Sequence, residues 1–292
     1  MRILLTGREG QVARSLLKKA LEWPELELIP AGRPEVELAE PGSIARVIRA
    51  VVPDLVINAA AFTAVDQAED EPDLAFRINA EAAGEAAAAA RELGAGIIQL
   101  STDYVFDGQK STPYTEDAAT NPVSVYGRSK LAGEEAVRAA NPEHVVLRTA
   151  WVYSPFGRNF VKTMAAAAHD RDVLNVVDDQ FGSPTSALDL ADAILAIAAR
   201  WPAGSGRTYH LAGAGSANWY ELATEVMAHC ARLGLPTAEI RPITTADWPT
   251  KAVRPPYAVL DCSRIETDLD IRLPDWRPSV AATVERLATS KC

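Results

Sequence analysis

Tyr126 and Lys130 stand four residues apart in Val125-Tyr-Gly-Arg-Ser-Lys-Leu131, just after Pro122 and Ser124. Proline stops a preceding helix and serine caps a new one, so this spacing predicts a phenol and an ammonium on one face of a helix's first turns. Proton delivery is the chemistry such a pair suits. A free tyrosine titrates near ~10, but a cation about 4 Å away at an effective dielectric of about 20 offers up to ~4 kcal/mol, or about three pK units. That field would bring the phenol into range for acid catalysis. Ordinary exposed neighbours at this spacing fit the pair equally well, so its meaning depends on what surrounds it.

Upstream, the buried-looking run at 97–101 delivers Ser101, Thr102 and Asp103 to a strand end. Residues 2–6 form a short apolar strand, and Gly7-Arg-Glu-Gly10-Gln-Val-Ala13 opens the helix after it. Strand, glycine turn and helix are the context a phosphate-binding turn requires. Glycine lets the backbone approach a pyrophosphate, and the helix N-terminus offers free N–H groups. Gly7 and Gly10 are therefore candidate cofactor contacts. A second strand, 26–30, runs into Ala31-Gly-Arg33, where a dinucleotide domain presents its ribose-reading residue. An arginine there favours the 2′-phosphate of NADP(H) over NAD(H), which stays possible. A strand at 55–58 emerges at Ala59-Ala-Ala-Phe-Thr63, whose three small residues let a flat cofactor lie close to the backbone at Ala60 and Ala61; tight helix–sheet packing explains them as well.

Strands and helices alternate through the first ~150 residues, with helices expected at 43–51 and 73–93 and a further strand at 144–149. This pattern predicts an α/β fold, a Rossmann-type doubly wound parallel sheet with ligands at the strands' carboxyl ends. The second half is less regular: helices at 160–169, 188–199, 218–233 and after Pro278, strands at 174–177, 208–211 and 239–243. We expect residues 1–153 to form the dinucleotide-binding domain, with some of 174–211 returning to it, and 154–292 to form mainly an interleaved substrate-binding lobe.

A chain of 292 residues, 48% hydrophobic, can bury a large core. Its net charge of −10 argues against a nucleic-acid surface. The three cysteines, Cys230, Cys262 and Cys292, lack a C-x-x-C spacing and suit a reducing cytoplasm. The four histidines show no metal-ligand spacing, so no metal is expected. The alanine run 86–90 lies between Glu85 and Arg91 and reads as helix, with no membrane span expected. The acidic cluster Asp66, Glu69, Asp70 and Glu71 reads as a solvated helix start.

Several blocks in order carry a resemblance. They are the glycine turn, Asn58-Ala-Ala-Ala, Thr63-Ala-Val-Asp-Gln-Ala-Glu69, Ser101-Thr-Asp-Tyr-Val-Phe-Asp107, Val125-Tyr-Gly-Arg-Ser-Lys-Leu-Ala-Gly-Glu134, Arg148-Thr-Ala-Trp-Val-Tyr153 and Asp179-Gln-Phe-Gly-Ser-Pro-Thr185. With them the chain resembles the extended short-chain dehydrogenases/reductases and, more narrowly, the dTDP-4-dehydrorhamnose reductase family. The resemblance implies NAD(P)H-dependent reduction of the 4-keto group of a dTDP-linked deoxyhexose, in dTDP-rhamnose biosynthesis. It makes Tyr126 the proton donor and Lys130 the holder of the nicotinamide ribose, with Thr102 bonded to the reacting oxygen. Asp103 and Trp151 would touch the sugar, Gln11 and Val12 would line the cofactor pyrophosphate, and Ala61, Phe62 and Thr63 the adenosine-to-nicotinamide path; Arg254, in a loop of the second half, presents a fork of donors suited to the diphosphate. A core tryptophan and an exposed loop arginine are the plainer readings of Trp151 and Arg254. Ala13, Phe62 and Pro256-Tyr257 depart from the family's usual residues. A homodimer is compatible with the resemblance. An epimerase or dehydratase on a related nucleotide sugar, or a non-catalytic NADP-binding regulatory subunit, would keep the same fold.

Overall fold

The computed structural model describes residues 1–289; Cys292, one of the three cysteines, lies outside them. Its centre is a six-stranded parallel sheet built from β1 (Arg2–Thr6), β2 (Glu27–Ala31), β3 (Leu55–Asn58), β4 (Gly96–Thr102), β5 (His144–Thr149) and the outer strand Arg207–His210. The order is β2-β1-β3-β4-β5 and then the outer strand, every neighbouring pair parallel. Strands β3, β4 and β5 are buried at every residue, which is why they read as continuous runs without polar alternation. Chain order reverses between β1 and β3. That switch point opens a crevice at the carboxyl ends of the strands, the ligand position of such sheets.

Alternation along β1 sorts side chains to two faces. Ile3 and Leu5 join Leu16 of helix α1 (Gln11–Lys19) and Ile194 of the Ala187–Ala199 helix. Leu4 faces the other way, towards Ile48 of helix α2 (Ser43–Val51), Ala86 and Ala90 of the Ala82–Glu92 helix, and Val137 of the Val125–Ala140 helix. The alanines let that second layer sit flush on the sheet. Gly133 is needed for the same reason, since a methyl group there would lie 2.0 Å from the Asn79 carbonyl oxygen.

Three expectations change in detail. The helix expected over 73–93 is Pro72–Phe76, a π-helical turn Arg77–Glu81, then Ala82–Glu92; such turns insert one residue and often mark functional positions. Of the segment expected to return to the sheet, the Ala187–Ala199 helix and Arg207–His210 do so. Val173–Val177 instead pairs with Glu239–Ile243 in a separate two-stranded ladder, packed on the Trp219–Arg232 helix through Leu174, Val176 and Ala223. The last helix begins at Trp276, ahead of Pro278, because proline is tolerated in a helix's first turn.

One buried charge cluster joins the catalytic-looking helix to the sheet. Glu134, fully buried, accepts hydrogen bonds from Ser101 of β4 at 2.6 Å, from Arg148 of β5 at 2.8 and 2.7 Å, and from Arg138 at 2.6 Å. Burial alone would raise its pKa, but Arg148, Ser101 and Arg138 together hold it below the usual carboxylate range. Its contribution to stability is therefore present above the unfolded carboxyl pKa near ~4.3 and lost as pH falls through the folded value. Glu134→Ala strands Arg148 in the core and should cost about 3–5 kcal/mol in a urea unfolding titration. A loss under ~1 kcal/mol would show that the cluster does not clamp the helix.

Candidate active site

Tyr126 and Lys130 lie in the first two turns of the Val125–Ala140 helix, whose N-cap Ser124 accepts a hydrogen bond from Gly127 N–H at 3.1 Å. Glu69 caps the same helix from outside, accepting from Val125 N–H at 2.8 Å. Gly127 lets it approach the next element closely, since a methyl group there would fall 2.2 Å from the Tyr104 carbonyl oxygen. That element is the turn Asp103–Val105 following β4. Tyr126, Thr102 and Asp103 thus meet in one corner, although 23 or more residues separate Tyr126 from the other two. The Thr102 hydroxyl donates to Asp103 Oδ1 at 2.9 Å, and both Thr102 and Asp103 bear on the ionisation of the Tyr126 phenol. Tyr104 packs edge-on against Tyr126, ring centroids 5.5 Å apart.

The electrostatics differ from the expectation drawn from spacing. Burial pushes the Tyr126 phenol well above its ordinary value, outweighing the influence of Thr102, which favours the phenolate. Burial likewise lowers Lys130 to about 8, the charge of Glu134 opposing it. The Lys130 ammonium donates to the Leu100 carbonyl at 2.6 Å. An i,i+4 spacing brought the two side chains to one face but did not aim the cation at the phenol. Asp103 is 2% exposed, and burial drives its carboxyl up to about 7 against the Thr102 hydrogen bond.

The glycine turn sits at the switch point. Gly7 has φ +94°, and a methyl group there would be 3.6 Å from Ala13 Cβ and 3.7 Å from Ala60 Cβ, so the turn, α1 and the loop after β3 converge. The space beside Gly10 is open, and no side chain caps α1. These features fit a pyrophosphate on the helix N-terminus. Val12 packs against the core. Gln11 bridges to the second half: it donates to Val152 O at 3.2 Å and accepts from Ser154 and Asn159, each at 2.9 Å. Thr6, Asn58 and Gln99 form a buried polar ladder across β1, β3 and β4, with bonds of 2.6 and 2.7 Å. Ala60 N–H donates to Thr6 at 3.1 Å. Ala61 and Phe62 are half-buried and Thr63 is exposed. Asn79, from the π-helical turn, holds both the N–H and the C=O of Phe62 and donates to Ser129 at 2.9 Å, tying this loop to the Tyr126 helix.

Arg33 is solvent-exposed, its nearest carboxylate being Glu37 at 3.8 Å. Sequence reasoning passed over Arg8, whose side chain lies against Gly32 and pairs with Glu35 at 2.8 Å. Two cations therefore border the end of β2. Trp151, at φ +45°, stacks on Trp219 with centroids 3.5 Å apart and planes 5° from parallel, and Phe160 leans on Trp219 from another side. Arg254 donates to Asp66 at 2.6 Å and to the Tyr104 hydroxyl at 3.3 Å. Asp66 also accepts from Ala252 N–H at 3.0 Å, and Asp70 pairs with Lys251. The acidic cluster is about half-exposed at Asp66, in the first turn of a short helix, and at Asp70, but it does more than meet solvent: Asp66, Glu69 and Asp70 tie distant segments to the site. Residue types alone gave no signal for this, because all the partners are remote in sequence.

The family model described as the RmlD substrate binding domain matches residues 1–289. The chain is 45% identical over 288 residues to the dTDP-4-dehydrorhamnose reductase of Sinorhizobium fredii (strain NBRC 101917 / NGR234), covering 97% of each. It resembles the crystal structure of a dTDP-4-dehydrorhamnose reductase from Clostridium acetobutylicum with TM-score 0.92 and 38% identity over 99% of this chain and 100% of that one. The enzyme of that name from Bacillus anthracis, solved in complex with NADP, matches with TM-score 0.90 and 31% identity over 98% of this chain and 99% of that one. Sequence, fold and coverage agree: the chain belongs to the dTDP-4-dehydrorhamnose reductase family.

Proposed function

We propose that this chain reduces the 4-keto group of dTDP-4-dehydro-L-rhamnose to dTDP-L-rhamnose, with NADP(H) as hydride donor and Tyr126 as proton donor. The observation that carries the reading is the convergence of Tyr126, Thr102 and Asp103 in one buried corner of the sheet's carboxyl edge. Full-length identity of 45% to a reductase of that name supports the substrate, and a relative solved with NADP supports the cofactor. Hydride chemistry is what the bound nicotinamide supplies.

The chain's own residues supply orientation and the proton. The uncapped start of α1, with Gly7, Gly10, Gln11 and Val12, takes the pyrophosphate, while Ala60 to Thr63 border the nicotinamide side. Lys130 keeps two N–H donors beyond the one given to Leu100 and offers them to ribose hydroxyls. As the ketone oxygen gains charge it becomes more basic than a phenolate, so Tyr126 can release its proton even with a raised pKa. Thr102 bonds that oxygen or the phenolate left behind. Trp151 borders the sugar, and Arg254 addresses the diphosphate with its planar fork of donors.

Residues 1–153, with the Ala187–Ala199 helix and Arg207–His210, serve as the dinucleotide-binding body, the remainder as the substrate lobe. Among the described residues no helix is long and apolar enough to cross a membrane. Together with the family's small-molecule chemistry this supports a cytoplasmic enzyme, and we place a homodimer alongside it as the working assembly.

Tyr126→Phe removes only the acidic proton. Turnover should fall about 10²–10⁴-fold while NADPH still binds; a kcat near wild type would remove Tyr126 from the role. Arg33→Ala should raise the Kd for NADPH by about 5–30-fold, the scale of one charge-assisted hydrogen bond, and leave NADH nearly untouched. Equal loss for both cofactors would reduce Arg33 to shaping its loop, and no loss would transfer the task to Arg8. Arg254→Ala should lower kcat/KM for the nucleotide-linked sugar, since binding energy from the remote end aligns the reacting carbon. The control is the same 4-keto sugar without its nucleotide. If wild type reduces it equally well, the diphosphate assignment fails.

A further inference from the structure

Gln11 is the first residue of α1, so its backbone N–H has no partner within the helix and belongs to the set that faces the pyrophosphate. Its side chain goes elsewhere. The carboxamide donates to Val152 O at 3.2 Å and accepts from Ser154 Oγ and Asn159 Nδ2, each at 2.9 Å. All three partners stand 141 to 148 residues later, in the segment that leaves β5 for the second half. That segment is packed against the glycine turn as well as bonded to it. Gly157, at φ +60°, comes so close that a methyl group there would lie 3.3 Å from Gln11 Cγ. The Arg14 guanidinium covers the Phe156 ring, 4.6 Å from its centroid.

From Gln11 two short routes lead to the same aromatic plane. Val152 follows Trp151 directly, so the bond to its carbonyl restrains the strained backbone, at φ +45°, that aims the indole. Asn159 opens the second route. Its Nδ2 also donates to Ser154 O at 2.8 Å, while its Oδ1 caps the Phe160–Ala167 helix by accepting from Lys162 N–H at 3.1 Å. Phe160, the first residue of that helix, leans on Trp219 with centroids 4.7 Å apart, and Trp219 carries Trp151 in its stack at 3.5 Å. Every step is a hydrogen bond or a ring contact, so a displacement of the phosphate-facing turn is felt at the indole.

We infer that Gln11 is a positioning residue through which cofactor binding orders the aromatic wall of the sugar site. This deepens the reductase reading and rests on it. A pyrophosphate on the turn fixes the backbone of Gly10 and Gln11, and the fixed backbone leaves the carboxamide fewer arrangements. Its three bonds then hold residues 152–159 in the arrangement that presents Trp151. The sugar meets a wall already ordered, so it binds more tightly when the cofactor is in place. Linkage makes the effect reciprocal, the bound sugar tightening the cofactor by the same factor. Glutamine suits the task because its amide donates and accepts at once, whereas an aliphatic side chain of equal length fills the space and holds no partner. Gln11 acts through Trp151 and not on the reacting atoms.

The test reads that factor by calorimetry on the full chain. dTDP-L-rhamnose is titrated without and with saturating NADP⁺. Wild type should bind it about 5–150-fold more tightly with NADP⁺ present, the ordinary range for two linked sites. Gln11→Met keeps the length and the backbone N–H but has no amide. Its factor should collapse to about 1, the value for independent sites, while NADP⁺ alone binds as in wild type. dTDP, which lacks the sugar, should respond little to NADP⁺ in either protein. A factor retained in the variant, an equal factor for dTDP alone, or no factor in wild type overturns the proposal. Should Gln11→Met not fold, Ser154→Ala decides, because it removes one partner and leaves Gln11 in place. There the factor should fall about 2–10-fold, the scale of one hydrogen bond, and an unchanged factor overturns the proposal equally. NADPH oxidation with 4-keto dTDP-sugars is measured beside the titrations. Wild type that turns over but shows no linkage refutes the role of Gln11 alone. Wild type inert towards every such sugar refutes the underlying reductase reading, and this proposal with it.

Discussion

The site depends on a carboxylate that never touches it. Glu134 sits two helical residues past Ala132 in the same helix as Tyr126, and its two oxygens are bonded by Ser101 of β4 and Arg148 of β5. Buried ion pairs gain little net stability over apolar packing, because desolvation offsets attraction. Their effect is geometric: a carboxylate accepting four bonds tolerates few arrangements. Ser101 immediately precedes Thr102, so the bond that fixes Glu134 also fixes the strand end carrying Thr102 and Asp103. Helix and strand are thereby placed relative to each other to within hydrogen-bond tolerance. Tyr126 and Thr102 meet because of that constraint, and Lys130 reaches the Leu100 carbonyl one residue upstream for the same reason.

What could be read from the sequence was local. The glycine turn, the alternating strands and helices, and the Tyr126/Lys130 spacing are short-range patterns whose backbone consequences follow from periodicity and steric rules. The family resemblance then ordered them. The interactions that assemble the site span 50 to nearly 190 residues: Asn79 to Ser129, Gln11 to Asn159, Asp66 to Arg254. No periodicity encodes such pairs. Asp66, Glu69 and Asp70 looked like surface charge because acidic residues at a helix start usually are. The electrostatic expectation failed for a different reason. Spacing gave a distance between Tyr126 and Lys130, but the dielectric surroundings and the competing Leu100 carbonyl decide where the charge acts.

The second half shows how a lobe with only two-stranded ladders of its own can hold an aromatic side chain rigidly. Trp151 adopts φ +45°, a region costly for a bulky residue. Its ring pays back that strain by stacking on Trp219, which is itself fixed by Phe160 and by donating to Gln180 at 3.2 Å. Gly182 admits the indole edge; a methyl group there would lie 2.4 Å from it. Strain, stacking and a missing side chain combine to lock one aromatic plane at the end of β5, beside the corner holding Tyr126. A residue that reads as either core or ligand wall is here half-buried, its ring stacked on a second tryptophan.

Arg254 raises the opposite question, since a group assigned to the substrate is already bonded. Its partner Asp66 is about half-exposed while Arg254 is 19% exposed. Releasing Asp66 therefore returns a carboxylate to water at small cost, while the guanidinium stays in place against Tyr104. On the proposed reading, a diphosphate arriving at Arg254 exchanges one anion for another of higher charge instead of recruiting a mobile side chain. The rotamer entropy of a free arginine, about 2 kcal/mol, has then been spent in folding and is not charged against binding. Asp66 also bonds Ala252 N–H, and Lys251 pairs with Asp70, so the segment bearing Arg254 is held against the loop leading from β3. The loop leading from β3 and the segment bearing Arg254 are thus coupled by ion pairs and a backbone hydrogen bond, so ordering one orders the other.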